Sequence, residues 1–194
     1  MIAVIDYNAG NVRSVLYALE RLGYEAALTN DATVIQQAEK VIFPGVGEAR
    51  STMLHLQATG LDEVIRGLKQ PVLGICLGMQ LLCRHSEEND AHCLNIIPAE
   101  VKRFRPVNGE KVPHIGWNTI ERTQGSWLSE SIDGQHVYFV HSFYVAPGPY
   151  TAALTHYIVP FTSVLRQDNF FATQFHPEKS GSIGEQVLKD FLLL

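Results

Sequence analysis

From Ile2 to Cys83 the chain alternates short apolar runs with stretches of helical periodicity. Few folds accommodate that alternation, and the simplest is a series of βαβ units around a parallel sheet. Ile2-Ala3-Val4-Ile5 reads as the first strand. Val12, Val15, Leu16, Leu19 and Leu22 then fall on one helical face, and Gly23 stands where a C-terminal cap belongs. Residues 26–28 read as a second strand, Asp31 as the N-cap of a helix over 32–38, and 41–43 as a third strand ending in Pro44-Gly45-Val46-Gly47. A helix from about 48 to 68 leads into a fourth strand at 71–75.

Beyond about residue 95 the pattern changes to antiparallel strands with many turn residues, including an uninterrupted run over 137–145. These read as insertions and strands added to the same sheet. A last β run covers 170–175, and 182–192 closes the chain as a helix. The expected class is therefore α/β, an open and mostly parallel sheet with helices on both faces and added antiparallel strands. A length of 194 residues fits one domain spanning 1–194, large enough to bury a core without disulfides or metals.

Composition removes several function classes. With 15 basic and 20 acidic residues the net charge is −5, which argues against a general nucleic-acid partner. Lys102, Arg103 and Arg105 read as a solvated face. Hydrophobic content is 46%, but no apolar run approaches the ~18 residues of a membrane span, and the N-terminal residues carry no basic leader. Cys76, Cys83 and Cys93 are odd in number and lack C-x-x-C spacing, so no disulfide framework and no metal site is expected, and a reducing cytoplasm is.

The chemistry centres on Gly74-Ile75-Cys76-Leu77-Gly78. Cys76 stands at the end of the fourth strand and the start of a helix that resumes at Met79, where free helix N–H groups favour a thiolate. Flanking glycines permit the strained bend of a nucleophile elbow. The pentapeptide alone fits a buried cysteine in a tight βα turn equally well. A nucleophilic cysteine needs a base, and the base needs an orienting group; His176 and Glu178 supply both. In an extended His176-Pro177-Glu178 segment, residues two apart point to one side, so Glu178 can lie beside the imidazole. Both motifs follow strands, and open α/β sheets collect their sites at strand C-termini. Pro44-Gly45-Val46-Gly47 also follows a strand, and with the N–H of Leu77 it reads either as an oxyanion hole or as a plain Pro-Gly turn.

With these elements in order, the chain resembles class I glutamine amidotransferases, in which a Cys-His-Glu triad releases ammonia from glutamine. Within that family Tyr7-Asn8-Ala9-Gly10-Asn11, Met79-Gln80, Ser86-Glu87-Glu88, Pro113-His114-Ile115-Gly116-Trp117-Asn118, Tyr138-Phe139-Val140-His141-Ser142 and Lys179-Ser180-Gly181 are similar to the branch formed by glutaminase subunits of imidazole glycerol phosphate synthase. Two departures stand out: Cys83-Arg84-His85 replaces what is more often a Phe and an acidic pair, and Asn8 stands where Gly is common.

The resemblance implies a flavodoxin-like fold, a hydrolysis of L-glutamine, and no cofactor. It implies catalysis by Cys76, His176 and Glu178, an oxyanion hole from Gly45, Val46, Gly47 and Leu77, and substrate contacts from Gln80, Glu88, Ser142 and Phe143. It implies a heterodimer with a (β/α)₈ cyclase subunit that uses the ammonia in histidine biosynthesis, with Asn11, Trp117, Tyr138 and Lys179 at or near the contact. A glutaminase subunit for pyridoxal phosphate or anthranilate synthesis, or a non-catalytic regulatory subunit, shares the fold.

Overall fold

The computed structural model describes residues 1–7, 10, 12–107 and 109–194. Its first half realises the expected alternation in β1 (Ile2–Ile5), α1 (Val12–Arg21), β2 (Ala26–Thr29), α2 (Ala32–Gln37), β3 (Lys40–Gly45), α3 (Ala49–Thr59), α4 (Leu61–Gly67), β4 (Val72–Cys76) and α5 (Leu77–Leu82). Short strands β5 (His85–Ser86), β6 (Ala91–His92) and β7 (Glu100–Arg103) follow, then β8 (His114–Thr119) and β9 (Glu121–Arg122). The remainder holds β10 (His136–His141), β11 (Phe143–Val145), β12 (Thr151–His156), β13 (Pro160–Gln167), β14 (Phe170–Thr173) and α6 (Gly181–Leu192).

Strands β2, β1, β3, β4 and β14 lie side by side and parallel. β13 pairs antiparallel with β14 and starts an extension that continues through β11, β7, β5 and β6. The two-residue period of a strand sorts the core. Ile2, Val4, Ile42 and Leu73 enter one cluster, while Ala3, Ile5, Val41, Phe43 and Val72 enter the other. Because both faces are covered, Ile2–Ile5 of β1, Val41–Phe43 of β3 and Val72–Ile75 of β4 are continuous apolar runs rather than alternating ones.

Two expectations are corrected. The helix read over 48–68 is two helices: Gly60 adopts φ +73, closing α3 and opening α4, a conformation that glycine takes at little steric cost. The run over 137–145 is not one strand in the main sheet. It breaks at Ser142, so that β10 pairs with β8 in a separate two-stranded ribbon while β11 joins the main sheet beside β7 and β13. Both halves are β-prone, so periodicity carries no mark of the change of sheet.

Among the described residues, no helix is long and apolar enough to cross a membrane, and no group of three His, Cys, Asp or Glu side chains is placed to hold a metal ion.

Candidate active site

Cys76 occupies the bend between β4 and α5 with φ +54 and ψ −106. A non-glycine residue held there costs about 1–3 kcal/mol, which the surrounding packing must offset. All five residues of β4 and all six of α5 are buried, and Gly78 allows the close approach between them and β3. A Cβ on Gly78 would stand 2.0 Å from the carbonyl oxygen of Phe43. The bend leaves Cys76 8% exposed, with its Sγ 4.0 Å from the Val140 carbonyl oxygen and 3.7 Å from Gln174 Nε2, which donates to it.

His176 follows β14 and is 1% exposed. Its Nδ1 bonds Glu178 Oε1 at 2.8 Å, and its buried Nε2 has no hydrogen-bond partner among the described residues. Burial opposes a charged ring, yet the neighbouring Cys76 and Glu178 outweigh it and raise the imidazole pKa from 6.5 to about 10. The local geometry differs from the extended segment expected from sequence. Pro177–Lys179 forms a 3₁₀ turn, and this turn folds the Glu178 carboxylate back onto the ring. The loop is clamped to β10: His176 N donates to Tyr138 O at 3.0 Å, Tyr138 N donates to Ser180 Oγ at 3.0 Å, and Ser180 Oγ donates to His176 O at 2.7 Å.

A cavity of about 320 Å³ opens over Cys76 and His176. Val46, Gly47, Leu77, Gln80, Glu88, Ser142 and Phe143 line it with them, so nearly every residue expected at the site converges there. Gly45 lies behind the lining, in register with Cys76. A Cβ on Gly45 would stand 2.5 Å from Tyr7 Oη, and that hydroxyl donates to Pro44 O at 2.6 Å, holding the start of the loop. Gly47 has φ +125, so the loop turns where an L side chain would be strained.

The two polar side chains expected to meet substrate are partly committed. Gln80 Nε2 donates to Phe143 O at 3.1 Å and to Gln174 Oε1 at 3.0 Å. Glu88 Oε2 accepts from Ala49 N at 2.8 Å, and burial raises its carboxyl pKa against that bond, with the Glu48 charge adding to the rise.

Of the residues expected at a partner contact, Trp117 and Tyr138 sit opposite each other in the β8–β10 ribbon with ring centroids 6.1 Å apart. Trp117 is 57% exposed, and Lys179 is exposed beside Ser180, which Tyr138 holds. Asn11 falls outside the described residues, as does Asn8.

Sequence reasoning missed two features. One is Gln174, fully buried at the end of β14; its only signal is an amide inside the apolar run Phe170-Phe171-Ala172-Thr173-Gln174-Phe175. The other is a pair of buried histidines. His114 Nδ1 lies 2.9 Å from His141 Nε2, and His141 Nδ1 lies 2.8 Å from Phe143 O. Because a carbonyl only accepts, His141 carries its proton on Nδ1 and its Nε2 accepts from His114 Nδ1–H. Burial lowers the pKa of His114 to about 4 and that of His141 to about 3, so both rings stay neutral.

Comparison with known proteins agrees with this geometry. A chain from Bacteroides thetaiotaomicron, "Imidazole glycerol phosphate synthase subunit HisH", is 62% identical over 192 residues, covering 98% of each chain. One of the same description from Idiomarina loihiensis is 50% identical, covering 100% of this chain and 97% of that one. A solved glutamine amidotransferase superposes with a TM-score of 0.76 at 21% identity, covering 100% of this chain and 98% of the other. The structure of PurLQS from Thermotoga maritima does so with a TM-score of 0.70 at 15% identity, covering 99% and 97%. These two likenesses bear on the fold. The family described as glutamine amidotransferase class-I matches residues 3–194, and with an elbow cysteine, a carboxylate-bound histidine and a glycine loop meeting in one cavity, the chain belongs to the class I glutamine amidotransferases.

Proposed function

We propose that residues 1–194 act as a single glutaminase domain, the subunit of imidazole glycerol phosphate synthase that hydrolyses L-glutamine for histidine biosynthesis. The observation that carries the reading is His176, buried, held by Glu178 at 2.8 Å and with Cys76 close enough to raise its pKa. The 62% identity to a relative of that description supports the choice among family members.

In this mechanism the Cys76 thiolate attacks the carboxamide carbon of glutamine. The developing oxyanion is met by N–H groups of the Gly45-Val46-Gly47 loop and of Leu77. Collapse of the tetrahedral intermediate breaks the C–N bond, and His176 gives its proton to the departing ammonia, leaving a thioester on Cys76. His176 then takes a proton from water, the resulting hydroxide attacks the thioester, and glutamate leaves as Cys76 is regenerated. Glu178 fixes the ring and favours its charged form throughout. Gln80 Oε1 and Glu88 are acceptors for the substrate's amino group, and the backbone at Ser142 and Phe143 meets its α-carboxylate.

Ammonia released into water near neutral pH is mostly protonated and lost as a nucleophile, so a receiving subunit belongs to the function. The proposed partner is a (β/α)₈ cyclase in a cytoplasmic heterodimer, contacted through Trp117, Tyr138, Lys179 and Asn11. Its loaded state is expected to rearrange the Gly45–Gly47 loop and raise glutaminase activity. The test measures glutamate release with and without the purified cyclase and its nucleotide ligand. Strong stimulation is expected, and equal rates would refute the reading. Cys76→Ala should abolish glutamine-dependent synthesis and spare synthesis from added ammonia.

A further inference from the structure

The amide of Gln174 lies against the sulfur, and its orientation follows from its neighbours. Phe143 O can only accept, so the end of Gln80 that bonds it at 3.1 Å is the NH₂ group. That same NH₂ lies 3.0 Å from one end of the Gln174 amide, which must therefore be the oxygen. The other end of Gln174 is then the NH₂, and it points at Cys76 Sγ from 3.7 Å. The two protons of Gln80 Nε2 thus have two acceptors, and flipping either amide would set like against like.

We propose that Gln174, locked by Gln80, is a further catalytic residue of this site, donating a hydrogen bond to the Cys76 sulfur that favours the thiolate and aims it into the cavity. The inference rests on Cys76 being the nucleophile. A donor aimed at an anion forms a charge-assisted bond, roughly twice as strong as a neutral one. Gln174 is fully buried and Gln80 is 4% exposed, so bulk water does not substitute for the amide. The arrangement also divides labour on the sulfur. His176 supplies the mobile proton, whereas Gln174 supplies a donor that keeps its proton through the cycle. Phe143 O is the shared anchor, accepting from both Gln80 and His141, which ties the lock to the segment that lines the cavity.

The test is the rate at which iodoacetamide alkylates Cys76 in the full chain, followed by mass spectrometry from pH 6 to 9. The other thiols give little background: Cys83 and Cys93 are buried, and burial raises both thiol pKa values, that of Cys93 to about 12. Gln174→Met removes the donor at similar length. Its alkylation rate at pH 7 should fall about ten-fold, the scale of one hydrogen bond to a charged group, and recover toward wild type by pH 9. Its glutaminase kcat should fall with KM little changed. Gln80→Met keeps Gln174 but frees it, and should give a smaller fall of the same pH-dependent form. It also decides the matter if Gln174→Met does not fold.

An unchanged rate in the variant that folds, or a fall equal at pH 7 and pH 9, overturns the role of Gln174 while leaving Cys76 as nucleophile. A wild-type Cys76 no more reactive than Cys83 or Cys93 overturns the nucleophile reading, and this proposal with it.

Discussion

Two buried histidines that line the cavity with Cys76 show how one side chain is set to opposite charges by its neighbours. His176 is 1% exposed and His141 is 5% exposed, and each has an acceptor 2.8 Å from Nδ1. For His176 that acceptor is a carboxylate; burial opposes the charge, but Cys76 and then this carboxylate outweigh it and raise the pKa to about 10. For His141 it is a peptide carbonyl, burial dominates, and repulsion from His114 and His176 pushes the same way, to about 3. A neutral dipole orients an imidazole without sustaining its charge; a carboxylate does both. The difference leaves one ring charged beside Cys76 and the other neutral, bonded to the Phe143 carbonyl that Gln80 also meets.

The largest effect is expected from giving His176 the neutral surroundings of His141. Glu178→Gln keeps the shape but removes the charge, and its amide NH₂ can impose the wrong tautomer by donating to Nδ1. Glutamine hydrolysis, assayed with the partner present, should fall by about 10³–10⁴-fold, the scale for an orienting carboxylate in a triad. The imidazole pKa, followed by nitrogen NMR, should drop from about 10. A variant that keeps that value would show that Cys76, rather than Glu178, sets the charge.

The second test reads the other ring. In the unfolded chain a histidine takes up its proton near pH 6.5, whereas folded His141 resists it down to about pH 3. Below pH 6.5 the unfolded state therefore binds more protons, and stability declines as the pH falls through that window. At pH 5 the single site should cost about 2 kcal/mol relative to neutral pH. His141→Leu is expected to be less stable than wild type at pH 7, because it leaves His114 Nδ1–H and weakens the anchoring of Phe143. Its deficit should shrink toward pH 5. Urea midpoints that fall in parallel for the two proteins would refute the assignment.

The two histidines also mark where sequence was and was not enough. The parallel half was legible because its constraints are local. Apolar runs, Asp31 as the cap of α2 and Gly23 after α1 are written in consecutive residues, and the elbow is a strand, a bend and a helix in order. The pairing of His176 with Glu178 was legible, although the fold brings them together by a 3₁₀ turn rather than an extended segment. The 137–145 run misled because β propensity does not distinguish one sheet from two. Gln174 and the His114–His141 pair were hidden for a related reason. Each is a polar residue in an apolar run, and its partner lies on another element: Gln174 meets Gln80 on α5, and His114 on β8 meets His141 on β10. Such residues look like interruptions of a core until the fold supplies their hydrogen bonds.

The smallest effect on the isolated chain is expected at the outer face of the ribbon that carries the neutral pair. His114 and Trp117 are on the same strand, yet His114 is 4% exposed and stacks on Tyr157 with centroids 4.1 Å apart, whereas Trp117 is 57% exposed and touches Tyr138 at its edge. Trp117→Ala therefore opens no cavity and leaves no buried donor unpaired, and the urea midpoint should move by no more than about 0.5 kcal/mol in stability. The fall in stability below pH 6.5 should be unchanged, since neither histidine loses a neighbour. Any large consequence must then come from a surface that covers the indole, and truncating a central interface tryptophan costs about 2–4 kcal/mol of binding. Titration calorimetry with the proposed cyclase partner separates the possibilities: weakened association with unchanged stability places Trp117 in the interface, whereas lost stability with unchanged association makes it part of the ribbon's own packing.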